Sequence, residues 1–242
     1  MRVLYFDTET YSAVDLPKIG SYLYARHATT DVRCVSYCLV VDSFRGPIKV
    51  WRQGDPVPQE FITVANDPDA LVCAFNDAFD RQIQEQILVS RYGFPVIPIE
   101  RRRCAQAAVL ARALPASLDA AAAALGIATR KSKAGVAVMK RLAGPRRQSA
   151  KERKAGKPLD FSATPEELVI LASYVEIDTL MAMEIVERIG LLPPSEQAIW
   201  ELDQRVNERG VHVDVSLIET AISVGGEARL ELHAQIATLT DG

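Results

Sequence analysis

Apolar positions open the chain as Val3-Leu4-Tyr5-Phe6, a run that predicts a strand over residues 2–8. A second run, Cys34-Val35-Ser36-Tyr37-Cys38-Leu39-Val40-Val41, predicts a long buried strand over 32–41. Asp42 to Pro47 reads as a turn, and Ile48-Lys49-Val50-Trp51 alternates as the returning arm of a hairpin. Glu60 to Ala65 reads as a short helix, and Leu71 to Phe75 is a brief apolar run ending at Asn76-Asp77, a helix N-cap pair. The helix that follows runs to about Tyr92 with Phe79, Ile83 and Ile87 on its buried side, and Gly93-Phe94-Pro95 stops it.

Residues 104–125 read as two alanine-rich helices split at Leu114-Pro115, with Ser117 capping the second and Gly126 closing it. Thr164-Pro165-Glu166-Glu167 is a strong helix start: a capping-box Thr and Glu with Pro at the first helical position. That helix is expected to reach about Arg188. Leu191-Leu192-Pro193-Pro194 is the expected boundary between a domain over 1–192 and a helical extension over 193–242. In the extension, Ser195 to Glu208 reads as a helix, Val211-His212-Val213 as a short strand, and Asp214 as the cap of a last helix. Early paired strands followed by interleaved helices give an α/β domain with a mixed sheet.

Composition narrows the class. Hydrophobic residues make up 48% of 242, enough for a packed core. No apolar stretch approaches the roughly 18 residues of a membrane span, so no membrane partner is expected. The N-terminus reads as a strand, not a leader peptide. Cys34, Cys38, Cys73 and Cys104 lack the spacing of a zinc site and read as reduced core residues of a cytoplasmic protein. His27, His212 and His233 are scattered, which argues against a histidine-ligated metal.

Net charge is −3, but it is unevenly placed. Between Ala128 and Pro158 stand eleven basic residues and one acid, a net +10, so the remainder carries −13. An acidic body with one basic strip suits a protein that gathers metal ions in one place and phosphates in another. Such lysine- and arginine-rich connections are also commonly just solvated.

The candidate chemistry lies in four acids. Asp7 and Glu9, at i and i+2 of a strand, point to one face, and paired hard oxygens suit Mg²⁺ or Mn²⁺. In isolation an Asp-x-Glu also describes a strand running into a polar turn. Asp80 lies in the first turn of its helix, where the dipole alone favours an acid. Asp178 falls on the stripe Leu171, Tyr174, Asp178, Met181, Ile185, which would bury it among apolar side chains. An unpaired buried carboxylate is costly, and a metal ion or dedicated donor would remove the penalty. Tyr174 sits one turn before it.

Phe6-Asp7-Thr8-Glu9-Thr10, Asn76-x-x-Phe79-Asp80 and Tyr174-x-x-x-Asp178, in that order, resemble the DEDD superfamily of 3′–5′ exonucleases in its tyrosine branch. Ser21 to His27, Leu114 to Asp119 and Trp200 to Val211 resemble the phage-type family A DNA polymerases. The resemblance implies an RNase H-like exonuclease fold with a mixed central sheet flanked by helices, plus a short C-terminal helical extension. It implies two divalent ions, Mg²⁺ or Mn²⁺, about 3.5–4 Å apart. Asp7 would bridge them, Glu9 and Asp178 would complete the hydroxide-generating site, and Asp80 would hold the second ion largely through water. Tyr174 would orient the attacking water, and Asn76 and Phe79 would seat the terminal nucleotide. Asp77 is given no role beyond capping. The implied function is proofreading at single-stranded DNA 3′ ends; the polymerase palm is expected beyond Gly242, so that this chain would not polymerise.

Two other readings share these residues. One is a non-catalytic DNA-binding or assembly module for a separate polymerase domain or subunit, docked through the last 50 residues; the other is a 3′–5′ exoribonuclease. For the basic strip, neutralising Lys131, Lys133, Arg146 and Arg147 is expected to weaken single-strand binding and flatten its salt dependence, since each phosphate contact contributes to the salt slope.

Overall fold

The computed structural model describes residues 1–240, and the chain parts into two compact units between Leu202 and Asp203. The first unit begins with β1 (Arg2–Tyr11), α1 (Leu16–Arg26), β2 (Asp31–Val41), β3 (Phe44–Arg45) and β4 (Lys49–Arg52). Next come α2 (Gln59–Asn66), β5 (Leu71–Ala74) and α3 (Asp77–Ile83), which continues through a π-helical stretch (Gln84–Val89) into α4 (Ser90–Tyr92). A 3₁₀ turn leads to β6 (Arg102–Cys104), α5 (Ala105–Leu110), α6 (Leu118–Ala124), α7 (Lys133–Leu142), α8 (Ala150–Lys154) and α9 (Pro165–Ile189). The helix α10 (Pro194–Arg209) starts in the first unit and ends in the second, which otherwise holds α11 (Val215–Thr240). The boundary expected at Leu191-Pro194 thus falls just ahead of α10.

The six strands form one sheet in the order β3-β2-β1-β5-β6, with β4 pairing β2 beside β3. β1 runs antiparallel to β2 and parallel to β5, and β5 runs parallel to β6. Three antiparallel columns followed by two parallel strands, with helices on both faces, make the mixed RNase H-like sheet.

Alternation along β1 divides the core in two. Leu4 and Phe6 face a cluster with Phe61, Val64, Ile83, Ile87 and Leu88, contributed by α2, α3 and the π-helical stretch. Val3 and Tyr5 face the opposite cluster with Phe75, Val109, Ala121, Met181 and Ile185, contributed mainly by α5, α6 and α9. α9 starts as its sequence predicts: Thr164 accepts from the Glu167 backbone N–H and the Glu167 carboxylate accepts from Thr164. Its position on the sheet is keyed by Ser36 of β2, which donates to the Val175 carbonyl at 2.8 Å and bonds the Thr179 hydroxyl. Ser36 is the antiparallel partner of Asp7, so the key lies beside the first acid.

Three expectations need correction. Val211-His212-Val213 forms no strand; the stretch is irregular and pairs with nothing among the described residues. Asn76 occupies the N-cap position of α3, but its side chain makes no capping bond. Asp77 does more than cap. It and Arg102 are both fully buried, and the guanidinium donates to Asp77 through Nε and Nη2 and to Gln84 through Nη1. The Arg102 carbonyl in turn accepts from Gln197. The pair ties the first turn of α3 to β6. All four cysteines are free and buried, and no helix among the described residues is long and apolar enough to cross a membrane.

Removing one partner of a buried ion pair strands the other charge and typically costs about 3–5 kcal/mol. Urea unfolding of Arg102→Met is expected to show a loss of that order; a midpoint within error of wild type would show the pair to be dispensable.

Candidate active site

The carboxyl half of β1 carries the acids because it is where the strand's apolar run ends. Asp7 and Glu9 continue the face of Val3 and Tyr5, which looks toward α9. Asp178 lies one turn before Met181 on the buried stripe of that helix, and Leu171, Tyr174, Met181 and Ile185 of the stripe are all buried with it. Asp7, Glu9 and Asp178 each offer a carboxylate oxygen, and these three oxygens lie within 4.8 Å of one another. Thr8 faces the other way, toward α3, where its hydroxyl donates to Asp80 Oδ1 at 2.6 Å. Asp80 therefore stands outside the group of three, on a separate support. Its charge still raises the proton affinity of Asp7.

The electrostatics follow from crowding. Burial and then repulsion from Asp80, Asp178 and Glu9 hold the Asp7 carboxyl well above the usual carboxylate range. Burial and Asp178 push Glu9 up to about 8, and burial pushes Asp80 up to about 7 against the Thr8 bond. Burial also raises Asp178, although Lys131 opposes it. Asp178 Oδ1 is a buried acceptor without a hydrogen-bond partner. An orphaned carboxylate oxygen in a group of three acids is compatible with a divalent cation held there. Tyr174 Oη lies at the same place, its hydroxyl pushed up to about 12 by burial and Asp178.

Lys131 was expected on the basic strip. Its ammonium is instead inside this group, 2.7 Å from Asp178 Oδ2 and 2.9 Å from Tyr174 Oη. Lys133 is exposed at the start of α7 and lines a cavity of about 480 Å³ with Lys131 and Tyr174. Arg146 is exposed and stands 3.6 Å from Asp160, while Arg147 is exposed with no ion-pair partner among the described residues. Phe79 is half-buried, with its ring 6.1 Å from that of Tyr24. Both line a cleft of about 490 Å³ that runs past Glu9 and is also lined by Met139 and Pro145. Asn76 is exposed at the start of α3 and does not line that cleft.

Sequence reasoning missed three supports of this site. Thr8 was visible only as the residue between two acids. Gly135 lies in α7, where an added Cβ would meet Tyr174 Cδ2 at 2.7 Å; a glycine inside a helix was the available signal. Arg33 is the extra residue of a bulge opposite Glu9 and Thr10. It covers the Tyr11 ring at 4.2 Å and donates to the Leu142 and Phe161 carbonyls, so it clasps both ends of the α7–α9 connection to the sheet.

No protein-family model matches this sequence. Over 244 residues it is 29% identical to a DNA polymerase of Bacillus phage SP02, a match spanning 99% of this chain and 36% of that protein. The chain thus corresponds to about a third of the length of that relative, and the similarity is the kind the motifs led us to expect. Among solved structures, Brucella melitensis NrnC superposes with a TM-score of 0.45 at 14% identity, covering 86% of this chain and 85% of that one. A structure described as the apo form of a nuclease gives 0.39 at 17% identity, with 88% of each chain covered.

The raised carboxyls give a signed pH dependence. A group whose proton affinity rises on folding stabilises the fold below its unfolded value and loses that contribution as pH climbs through the folded one. In EDTA, the melting temperature is therefore expected to fall between about pH 3.8 and pH 8, the window spanned by Asp80 and Glu9. Mg²⁺ or Mn²⁺ should recover most of the loss at pH 8 and little at pH 5, because ligands must be deprotonated to bind. A metal effect independent of pH would count against these acids as ligands.

Proposed function

We propose that this chain is a metal-dependent 3′–5′ exonuclease acting on DNA 3′ ends, the proofreading part of a phage-type family A DNA polymerase. The observation that carries the reading is the meeting of Asp7, Glu9 and Asp178 within 4.8 Å, with Tyr174 one turn away and an open cleft alongside. Divalent ions held by Asp7, Glu9 and Asp178, with Asp80 beside them, would supply a hydroxide at neutral pH and charge for the leaving oxygen.

The chain's own groups do the rest. Tyr174 presents a hydroxyl that is protonated at working pH and able to donate to or accept from the attacking water. Thr8 fixes the Asp80 carboxylate by its 2.6 Å bond, which leaves Oδ2 as the freer oxygen. Half-buried Phe79 offers aromatic surface in the cleft next to Glu9, with the buried Tyr24 ring beside it, where a terminal base would stack. Of the basic strip, Arg130, Lys133, Lys140, Arg147, Lys151, Arg153 and Lys154 are exposed with no ion-pair partner among the described residues, and these are cations open to phosphates. The phage DNA polymerase similarity favours DNA over RNA as substrate.

The test is digestion of a 5′-labelled single-stranded DNA oligonucleotide and its RNA counterpart with Mg²⁺, Mn²⁺ or EDTA. A metal-dependent ladder from the DNA 3′ end, absent in Asp7→Ala, is the expected result. Faster loss of RNA would make the chain an exoribonuclease. No cleavage by a folded protein that still binds DNA would leave a binding or assembly module.

Gly135→Ala offers a finer check, since its methyl would meet the Tyr174 ring at 2.7 Å and the Ser132 hydroxyl at 2.9 Å, with no acid among its nearest neighbours. Misplacing a reacting group by about 1 Å can cost on the order of 100-fold. Turnover in the oligonucleotide assay is expected to fall by about 10–100-fold with little change in metal affinity; unchanged turnover would remove Tyr174 from the mechanism.

A further inference from the structure

Lys131 stands where a metal-binding carboxylate should have its charge free. Its ammonium bonds Asp178 Oδ2 and Tyr174 Oη, and the side chain is about one-fifth exposed. Both partners are residues that the metal-dependent reading needs, and the inference that follows rests on that reading.

A divalent ion among Asp7, Glu9 and Asp178 would face this ammonium across a shared carboxylate. Two like charges that close repel strongly in a site with little water. Lys131 therefore competes with metal for Asp178, unless it has somewhere else to go. The surroundings provide a place. Lys131 lies on the irregular link between α6 and α7, not within a helix, so its backbone is not locked by a ladder of bonds. The lysine also lines the cavity of about 480 Å³, whose wall includes Asp119 in the first turn of α6. Asp119 is exposed and has no ion-pair partner among the described residues, and its charge is felt at Asp178.

We infer that Lys131 is a resident counter-cation with two stations: Asp178 and Tyr174 when the acid group holds no metal, and Asp119 across the adjoining cavity when it does. In the first station the ammonium offsets the repulsion of the crowded acids and keeps the empty site folded. In the second it leaves Asp178 free to ligate and Tyr174 free to meet the substrate. The device makes metal binding an exchange of one cation for another.

Mn²⁺ binding to the full chain, followed by loss of the free-ion EPR signal, tests this together with melting temperature in EDTA. Lys131→Met keeps the stem and removes the charge. It is expected to bind Mn²⁺ about tenfold more tightly, equivalent to about 1.4 kcal/mol, and to melt lower than wild type in EDTA, with the gap closing once Mn²⁺ is added. Asp119→Asn, on an exposed side chain, is expected to leave the EDTA melting point unchanged and weaken Mn²⁺ binding several-fold. Lys131→Met binding no tighter than wild type overturns the competition, and Asp119→Asn binding as tightly as wild type overturns the second station. A wild-type chain that binds no Mn²⁺ overturns the metal site and this inference together, whereas a wild-type chain that binds it beside an unimproved Lys131→Met overturns the lysine exchange alone.

Discussion

Confinement of negative charge at the end of β1 is the constraint on which the rest of the structure depends. Asp7, Glu9, Asp80 and Asp178 are brought close in a place where burial denies them the solvation that would let them ionise together. A fold tolerates this only if something opposes it. The opposition here is mechanical as well as electrostatic. Ser36 pins α9 to β2 beside Asp7, and the Asp77–Arg102 pair pins α3 to β6 one turn ahead of Asp80. Both acid-bearing helices are thus anchored within a few residues of the charge they present, so repulsion cannot be relieved by drifting apart.

The two-face alternation of β1 explains why the site is asymmetric. Odd residues look toward α9 and place Asp7 and Glu9 against Asp178. Even residues look toward α3, where Thr8 meets Asp80. One strand therefore sorts the acids into a group of three and a separate one, using nothing more than the period of two. The same alternation puts Leu4 and Phe6 in one core cluster and Val3 and Tyr5 in the other. Packing and chemistry are set by a single register, and a slip of one residue would exchange acids for core.

Most of this was legible in the sequence wherever the signal is local. The Asp-x-Glu spacing, the stripe carrying Tyr174 and Asp178, the Thr164 capping box and the Ser117 cap are patterns within a few residues, and each stands in the structure as read. What the sequence hid depends on partners far along the chain. Nothing near Asp77 announces Arg102, 25 residues away and fully buried. Nothing in β2 marks Arg33 as a bulge residue that reaches Leu142, 109 residues on. Lys131 was obscured by its company, because a run of basic residues suggests one solvated role for all of them. The strand expected at Val211–Val213 failed for the opposite reason: three alternating residues carry a strand pattern, but without a pairing edge the pattern has no bonds to make.

The basic segment therefore divides by what lies within reach of each side chain. Lys131 is taken by Asp178 and Arg141 by Glu167, both at the roots of the segment where it touches the sheet and α9. Past Arg141, the Arg146 backbone N–H donates to the Asp160 carbonyl and Arg33 holds Leu142 and Phe161, so the chain leaves and returns at nearly one point. The residues from Arg146 to Asp160, including α8, carry their cations on an excursion tied at its base and again by Gln148, which donates to the Lys157 and Pro158 carbonyls. A stretch of one charge sign is thereby split by the fold. The cations at its root are engaged by Asp178 and Glu167, while Arg147, Lys151, Arg153 and Lys154 on the excursion stay exposed and unpaired among the described residues.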